Sequence, residues 1–485
     1  MKKIFLLASA FVLTVATSVA QTWNIGTPTE TSVTATLSGT TLFISGTGKM
    51  RDYDFSSTLP WKNSGFTTVV VQNGVSGIGN YAFYNCSGLT AISFAESVEN
   101  IGEAAFAGCS GLTAVELPDG VTGIGSSAFW GCSGLKEMTL PFVGGSATAT
   151  SDGALFGYIF GTSSYTGGME TWQRYYTPPY SFFDKRYYIP AALRKVTIGG
   201  GSVEYGAFYG CYMLTSVTLG EGVTGIGSEA FYDCLFLASV DIPASVTSIG
   251  SYAFEGCLSL TSIDVPGSVE SIGEGAFSGC SGLTDMTLPF VGASETATGL
   301  DNNTLFGYIF GAYSYTGGAE TWQRSDPYYA SVRYYLPAAL RNVTITGGNL
   351  GYGAFGNCSM LTSVTLPGSM TSIGELAFAG CSGLTAVVNH RLTPQVINAN
   401  VFDDYTYNNA TLYVPAASYT AYSTTTGWEN FYNLVTGTVE AGSVASPSAK
   451  VAGYYGILGG KLPQEPESGL YIILYDNGNA EKVVK

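Results

Sequence analysis

Charge is scarce in this chain: only 11% of its 485 residues are Asp, Glu, Lys or Arg, and it has one histidine, His390. A single imidazole excludes histidine-based catalytic triads and multi-histidine metal sites. Basic residues are fewer still, 19 against 35 acidic, which argues against nucleic acid as a partner because a phosphate backbone is gripped by clustered Lys and Arg. Beyond the first 20 residues no apolar run reaches the roughly 20 residues of a transmembrane helix. Nine cysteines are present, but no Cys-x-x-Cys spacing occurs and the count is odd.

Residues 1–20 read as a secretory signal peptide. Lys2 and Lys3 precede an apolar run from Ile4 to Thr17, and Ser18-Val19-Ala20 is a small-x-small site before Gln21. No Cys follows that site, so a lipid anchor there is not expected. Without Lys2 and Lys3 the mature chain holds 17 basic against 35 acidic residues, a balance of about −18. Abundant Gly (64), Tyr (33) and Phe (26) fit a β-rich extracellular protein.

From Val75 onward one phrase recurs: Val98-x-x-Ile101-Gly102-x-x-Ala105-Phe106-x-x-Cys109-x-x-Leu112-x-x-Val115-x-Leu117-Pro118. The marker Phe returns at 83, 106 and 129, at 208, 231, 254 and 277, and at 355 and 378, with a step of 23 residues inside each block. Such a period predicts a β-rich solenoid, a leucine-rich-repeat array of 23-residue coils with parallel strands at Leu-x-x-Val-x-Leu. Five buried apolar side chains per coil stabilise by about 10 kcal/mol. Ordering 23 residues costs about 1–2 kcal/mol each, so no coil stands alone. The array is expected over 75–437, with caps at 21–74 and about 391–437 to cover its open ends. All nine cysteines sit three residues after a marker Phe. A buried thiol ladder accounts for them better than a disulfide or metal framework.

Two familiar motifs dissolve in the repeat. Gly77-Ile-Gly79-Asn-Tyr-Ala82 has the Gly-x-Gly-x-x-Ala form of a dinucleotide-binding turn, but it is the Ile-Gly corner of a coil, recurring in register. Gly46-Thr-Gly-Lys49 lacks the first Gly and final hydroxyl of a phosphate loop, and a hairpin turn in the cap is expected there.

Two steps are long: 79 residues from Phe129 to Phe208 and 78 from Phe277 to Phe355. The duplicated, aromatic-rich insertions, about 142–200 and 290–350, copy each other. Leu155 to Gly161 matches Leu305 to Gly311, Tyr165 to Arg174 matches Tyr315 to Arg324, and Tyr187 to Arg194 matches Tyr334 to Arg341. A unit of 148 residues, from Phe129 to Phe277, has been duplicated. Thirteen aromatics from Phe142 to Ala192 and eleven from Phe290 to Ala338 suit either a recognition surface or small satellite cores. If extended, Glu170, Trp172 and Arg174 share one side, repeated by Glu320, Trp322 and Arg324. These six are the candidate ligand-binding residues, with a salt-bridged hairpin face as the competing account. Matching acids reduce to Glu170 and Glu320, one per copy, so no carboxylate pair for glycoside hydrolysis is repeated and an enzyme is not expected. No cofactor is called for.

After a small-residue linker at 438–450, Gly469 to Tyr475 and Glu481 to Lys485 read as a closing hairpin within a small C-terminal β tail, 451–485. The repeat resembles the BspA-type leucine-rich-repeat family over roughly 21–437, and the tail is similar to type IX secretion sorting signals. The resemblance implies a bacterial surface protein binding a host or bacterial surface protein or glycan, displayed on the outer surface of a Gram-negative cell. Adhesion or protein interaction is the leading expectation. A glycan-binding component of nutrient capture, and a structural surface layer, are the alternatives.

Overall fold

The computed structural model describes residues 20–437, apart from 180 and 298–301, and four strands of the tail. Residues 1–19 of the expected leader and the linker at 438–450 lie outside the described residues. Each repeat forms one coil, and successive coils pair in parallel at Leu-x-x-Val-x-Leu. The inward residues form one column: Val115 is in register with Met138, Met138 with Val196, Val196 with Val217 and Val217 with Val240. A like column runs from Ile263 through Met286, Val343, Val364, Val387 and Leu412 to Leu434.

The marker Phe rings stack across the coil. Phe208, Phe231, Phe254 and Phe277 lie 5.2, 5.2 and 5.5 Å apart with nearly parallel planes. Beside them every cysteine is free and buried. Most thiols donate to the marker Phe carbonyl of the preceding coil, as Cys257 does to Phe231 O at 3.3 Å and Cys280 to Phe254 O at 3.1 Å. Burial raises these thiols; Cys86 and Cys132 are pushed up to about 12. The Gly of the Ile-Gly corner is required by closeness: a Cβ on Gly102 would run into Gly79 and Asn80 of the preceding coil. No helix follows that corner, so the dinucleotide-turn geometry is absent.

Both ends are closed by aromatics that continue the stack. Trp61 lies 5.7 Å from Phe83, beneath an antiparallel meander of Gln21–Asn24, Val33–Ser38 and Thr41–Gly46. Gly46-Thr47-Gly48 is a corner rather than a hairpin turn. Strand Thr41–Gly46 pairs with Thr68–Val71, whereas Gly48–Met50 turns onto Val75–Ile78, and both glycines have positive φ. At the other end Phe402 stacks on Phe378 at 4.9 Å and is covered by Phe431.

The insertions are shorter than their sequence boundaries. Lys195–Ile198 pairs with Glu137–Leu140 on one side and Ser216–Leu219 on the other, and Asn342–Ile345 occupies the equivalent place, so both are solenoid strands. Each long step is two coils of 23 plus 33 or 32 extra residues. The added coil was hidden because its ring layer departs from the consensus: Phe156 and Phe306 contact Phe208 and Phe355 at 4.8 and 4.6 Å.

In the tail, Leu470–Tyr475 and Ala480–Val484 pair antiparallel as expected. Val451–Gly456 and Lys461–Leu462 extend them to four strands. Among the described residues no helix is long and apolar enough to cross a membrane.

Candidate binding surfaces on the inserted hairpins

Each insertion projects a two-stranded hairpin: Gly168–Thr177 with Ser181–Pro190, and Gly318–Gln323 with Val332–Pro337. Strand alternation sets their two faces. Thr171 and Gln173, like Thr321 and Gln323, are buried, while Glu170, Trp172, Glu320 and Trp322 are exposed.

The buried Gln joins hairpin to solenoid. Gln173 Oε1 accepts from Gly157 N at 2.6 Å, and its Nε2 donates to Ala207 O at 3.0 Å and Cys211 Sγ at 3.4 Å. Gln323 does the same for Gly307 N, Gly356 O and Cys358 Sγ at 2.7, 3.2 and 3.2 Å. Cys211 and Cys358 follow the insertions, so no regular preceding coil presents a Phe carbonyl to them. The amide takes over that rung of the thiol ladder.

On the outer face, Trp172 Nε1 donates to Glu170 Oε1 at 3.2 Å, and Tyr188 Oη donates to Glu170 Oε2 at 2.8 Å. That bond raises the Tyr188 phenol above its ordinary value. Arg186 lies 3.8 Å from Glu170, with its guanidinium 5.9 Å from the Trp172 ring and 5.7 Å from the Tyr188 ring. The second copy repeats the arrangement. Trp322 donates to Glu320 at 2.8 Å, Tyr335 donates to Glu320 at 3.1 Å, and Arg333 lies 6.0 and 5.5 Å from the Trp322 and Tyr335 rings.

The structure therefore brings Glu170 to Trp172, and Glu320 to Trp322, but supplies the guanidinium from the facing strand. Arg174 belongs to a second group, bonded to Asp184 at 2.8 Å, near Glu229 at 3.6 Å and over the Tyr209 ring. The Asp184 bond raises its pKa. Arg324 instead donates to Tyr352 Oη at 2.9 Å. Sequence reasoning missed Arg186, Arg333, Tyr188 and Tyr335. The signal was their repetition in both copies, beside residues already matched, and hairpin register was needed to use it.

The outward strand positions, such as Ser216, Thr218, Ser363 and Thr365, form a hydroxyl-rich face. Many threonine hydroxyls beside it are spent on carbonyls of the preceding coil, such as Thr284 on Thr261 O at 3.0 Å. Among the described residues no group of three or more His, Cys, Asp or Glu could hold a metal ion.

Compared with known families, residues 60–156, 201–297 and 335–432 match the BspA type leucine rich repeat region, in six copies. The chain belongs to the BspA-type leucine-rich-repeat family.

This BspA-type chain is similar to solved structures of a leucine-rich repeat protein from Bacteroides ovatus and a leucine rich cell surface protein from Faecalibacterium prausnitzii. The first is 19% identical, covering 84% of this chain and 88% of that one with a TM-score of 0.29; the second is 20% identical, covering 85% and 95%, also at 0.29. A leucine-rich repeat protein from Eubacterium ventriosum is 22% identical over 76% of this chain and 90% of its own, with a TM-score of 0.24. No curated protein matches. The matched segments of the BspA-type chain leave out the first hairpin and all but residues 335–337 of the second, so Glu170, Trp172, Glu320 and Trp322 lie outside the match.

Proposed function

We propose that the chain acts outside the cell as an adhesion or protein-interaction scaffold whose contacts are made by the outer faces of its two hairpins. The observation that carries this reading is the repeated cluster of Glu, Trp, Arg and Tyr, with Trp172 and Trp322 each 48% exposed. Trp, Tyr and Arg are the residues most enriched where interfaces concentrate their binding energy. Five coil steps separate the clusters, about 24 Å at the parallel-strand spacing, so one extended partner could engage both. The leader and the sorting-like tail in the sequence support placement at the cell surface.

The test is an array of host matrix proteins, mucins, bacterial surface proteins and glycans, probed with the mature chain and with Trp172→Ala/Trp322→Ala. Binding of a protein, reduced in each single variant and lost in the double, is expected. An array on which no protein responds, or a protein response indifferent to the double substitution, sinks the reading. A glycan-only response lost with the tryptophans would replace it with nutrient capture, and self-association seen by light scattering would replace it with a surface layer.

A further inference from the structure

The residue after each marker Phe lies in a row along one face of the rod. In the first unit that row reads Tyr84, Ala107, Trp130, and 148 residues later it reads Tyr232, Glu255, Ser278. The row two residues before the Phe reads Tyr81, Ala104, Ser127, against Glu229, Tyr252, Gly275. Where the middle coil of the second unit carries Tyr252 and Glu255, the first carries two alanines. Ala104 and Ala107 are buried beneath a slot of about 250 Å³.

Coil spacing gives this slot its dimension. One coil step is about one ring-stacking distance, as Tyr209 and Tyr232 show in the same row at 4.6 Å and 5°. Leaving out the middle side chain between Tyr84 and Trp130 therefore opens room for one ring. Trp130 is held in place: its Nε1 donates to Ser163 O at 2.7 Å, and Tyr165 packs edge-on against it at 5.6 Å. Tyr84 is braced edge-on by Tyr81 at 5.6 Å. Phe55 adds an apolar surface from the N-terminal cap, 75% exposed, while Thr162 and Ser163 of the first insertion also line the slot.

The lining carries no charged side chain, although the chain as a whole has a net charge of −16. Its polar groups include the hydroxyls of Ser127, Thr162 and Ser163, none of which is bonded to another described residue. Hydroxyls both donate and accept, which suits a ligand whose own edge is made of hydroxyls and whose faces are apolar. A proline-rich peptide also offers apolar rings, but its carbonyls only accept, so it would leave the acceptor capacity of these hydroxyls unused.

We infer that Tyr84, Trp130 and Phe55 form a binding slot for one neutral pyranose residue of a glycan, separate from the hairpin clusters. Isothermal titration of the mature chain with cellohexaose, xylohexaose, mannohexaose and laminarihexaose, and with decaproline, tests it. At least one oligosaccharide is expected to bind in the micromolar to millimolar range, and Trp130→Ala to weaken it at least about tenfold. Ala107→Tyr restores the ring row seen at Tyr209 and Tyr232, so it should abolish binding without lowering the melting temperature. Trp172→Ala/Trp322→Ala should leave the affinity unchanged, which separates this site from the proposed protein contacts. The inference is overturned if no oligosaccharide binds at millimolar concentration, if Ala107→Tyr binds as well as the wild type, or if decaproline alone binds.

Discussion

The two insertions share a base and part company at the tip. From Leu155 to Arg174 and from Leu305 to Arg324 they agree closely, and both place a Gln amide on the rod and a Trp outside it. Beyond those arginines the first hairpin runs ten residues a strand. Phe182 packs 5.6 Å from Tyr205 of the rod, and Arg174 is clasped by Asp184. The second is six residues a strand and leaves Tyr328 93% exposed. Where Tyr209 and Tyr232 stand behind the first hairpin, Gly356 and Ala379 stand behind the second, and a groove of about 530 Å³ opens beside Trp322, Arg324 and Asp403. The base is constrained because the thiol ladder and ring stack must pass through it, whereas the tip answers only to its own contacts.

The comparison breaks first if the two bases are not equivalent. Phe156→Ala and Phe306→Ala each leave a cavity in the ring stack, and a loss of about 3–5 kcal/mol is expected from both. Because long repeat arrays need not unfold in one step, hydrogen exchange of amides in the flanking coils is the suitable measurement. Losses differing by more than the scatter between replicates would show that only one insertion is a true coil.

A smaller effect is expected from Gln173→Ala and Gln323→Ala. Each strands the buried N–H of Gly157 or Gly307, costing about 1–3 kcal/mol, while Ala207 O keeps its bond from Phe156 N. Limited proteolysis should then release the hairpin while the rod stays intact. An unchanged cleavage pattern would mean that the hairpin is held by its apolar contacts and not by the amide.

Much of this was legible in the sequence because the solenoid writes one constraint many times. The residue before each cysteine is Gly, Asn or Asp, and the structure gives it a left-handed φ at Asn85, Gly108, Asp233 and Asn357 alike. The candidate pairs Glu170 with Trp172 and Glu320 with Trp322 followed from strand alternation. Arg186 and Arg333 did not, because which residue faces an indole across a hairpin depends on register, and register is set by a turn whose sequence differs between the copies. The hidden coil escaped for a related reason: Phe156 and Phe160 fill the ring layer with spacing that the 23-residue period does not contain.

The smallest effect is one of pH, and it sharpens the contrast between Ala107 and Glu255. Burial, reinforced by the charges of Asp233 and Glu229, pushes the Glu255 carboxyl up from 4.5 to about 7. The folded chain then binds a proton that the unfolded chain releases at lower pH. Stability contributed at this position is fully present below about 4.5 and declines as pH rises towards 7. Glu255 is only partly buried, so solvent screening reduces the expected decline to about 1 kcal/mol. Urea midpoints compared at pH 5 and pH 7.5 should therefore fall in the wild type and fall less in Glu255→Gln, which carries no charge at either pH. Equal declines in the two proteins would place the proton uptake elsewhere, for instance at Asp233, whose carboxyl burial also raises. The first unit, with Ala107 at the matching position, lacks this titration, so exchange rates in the coils around Phe254 should respond to pH more than those around Phe106.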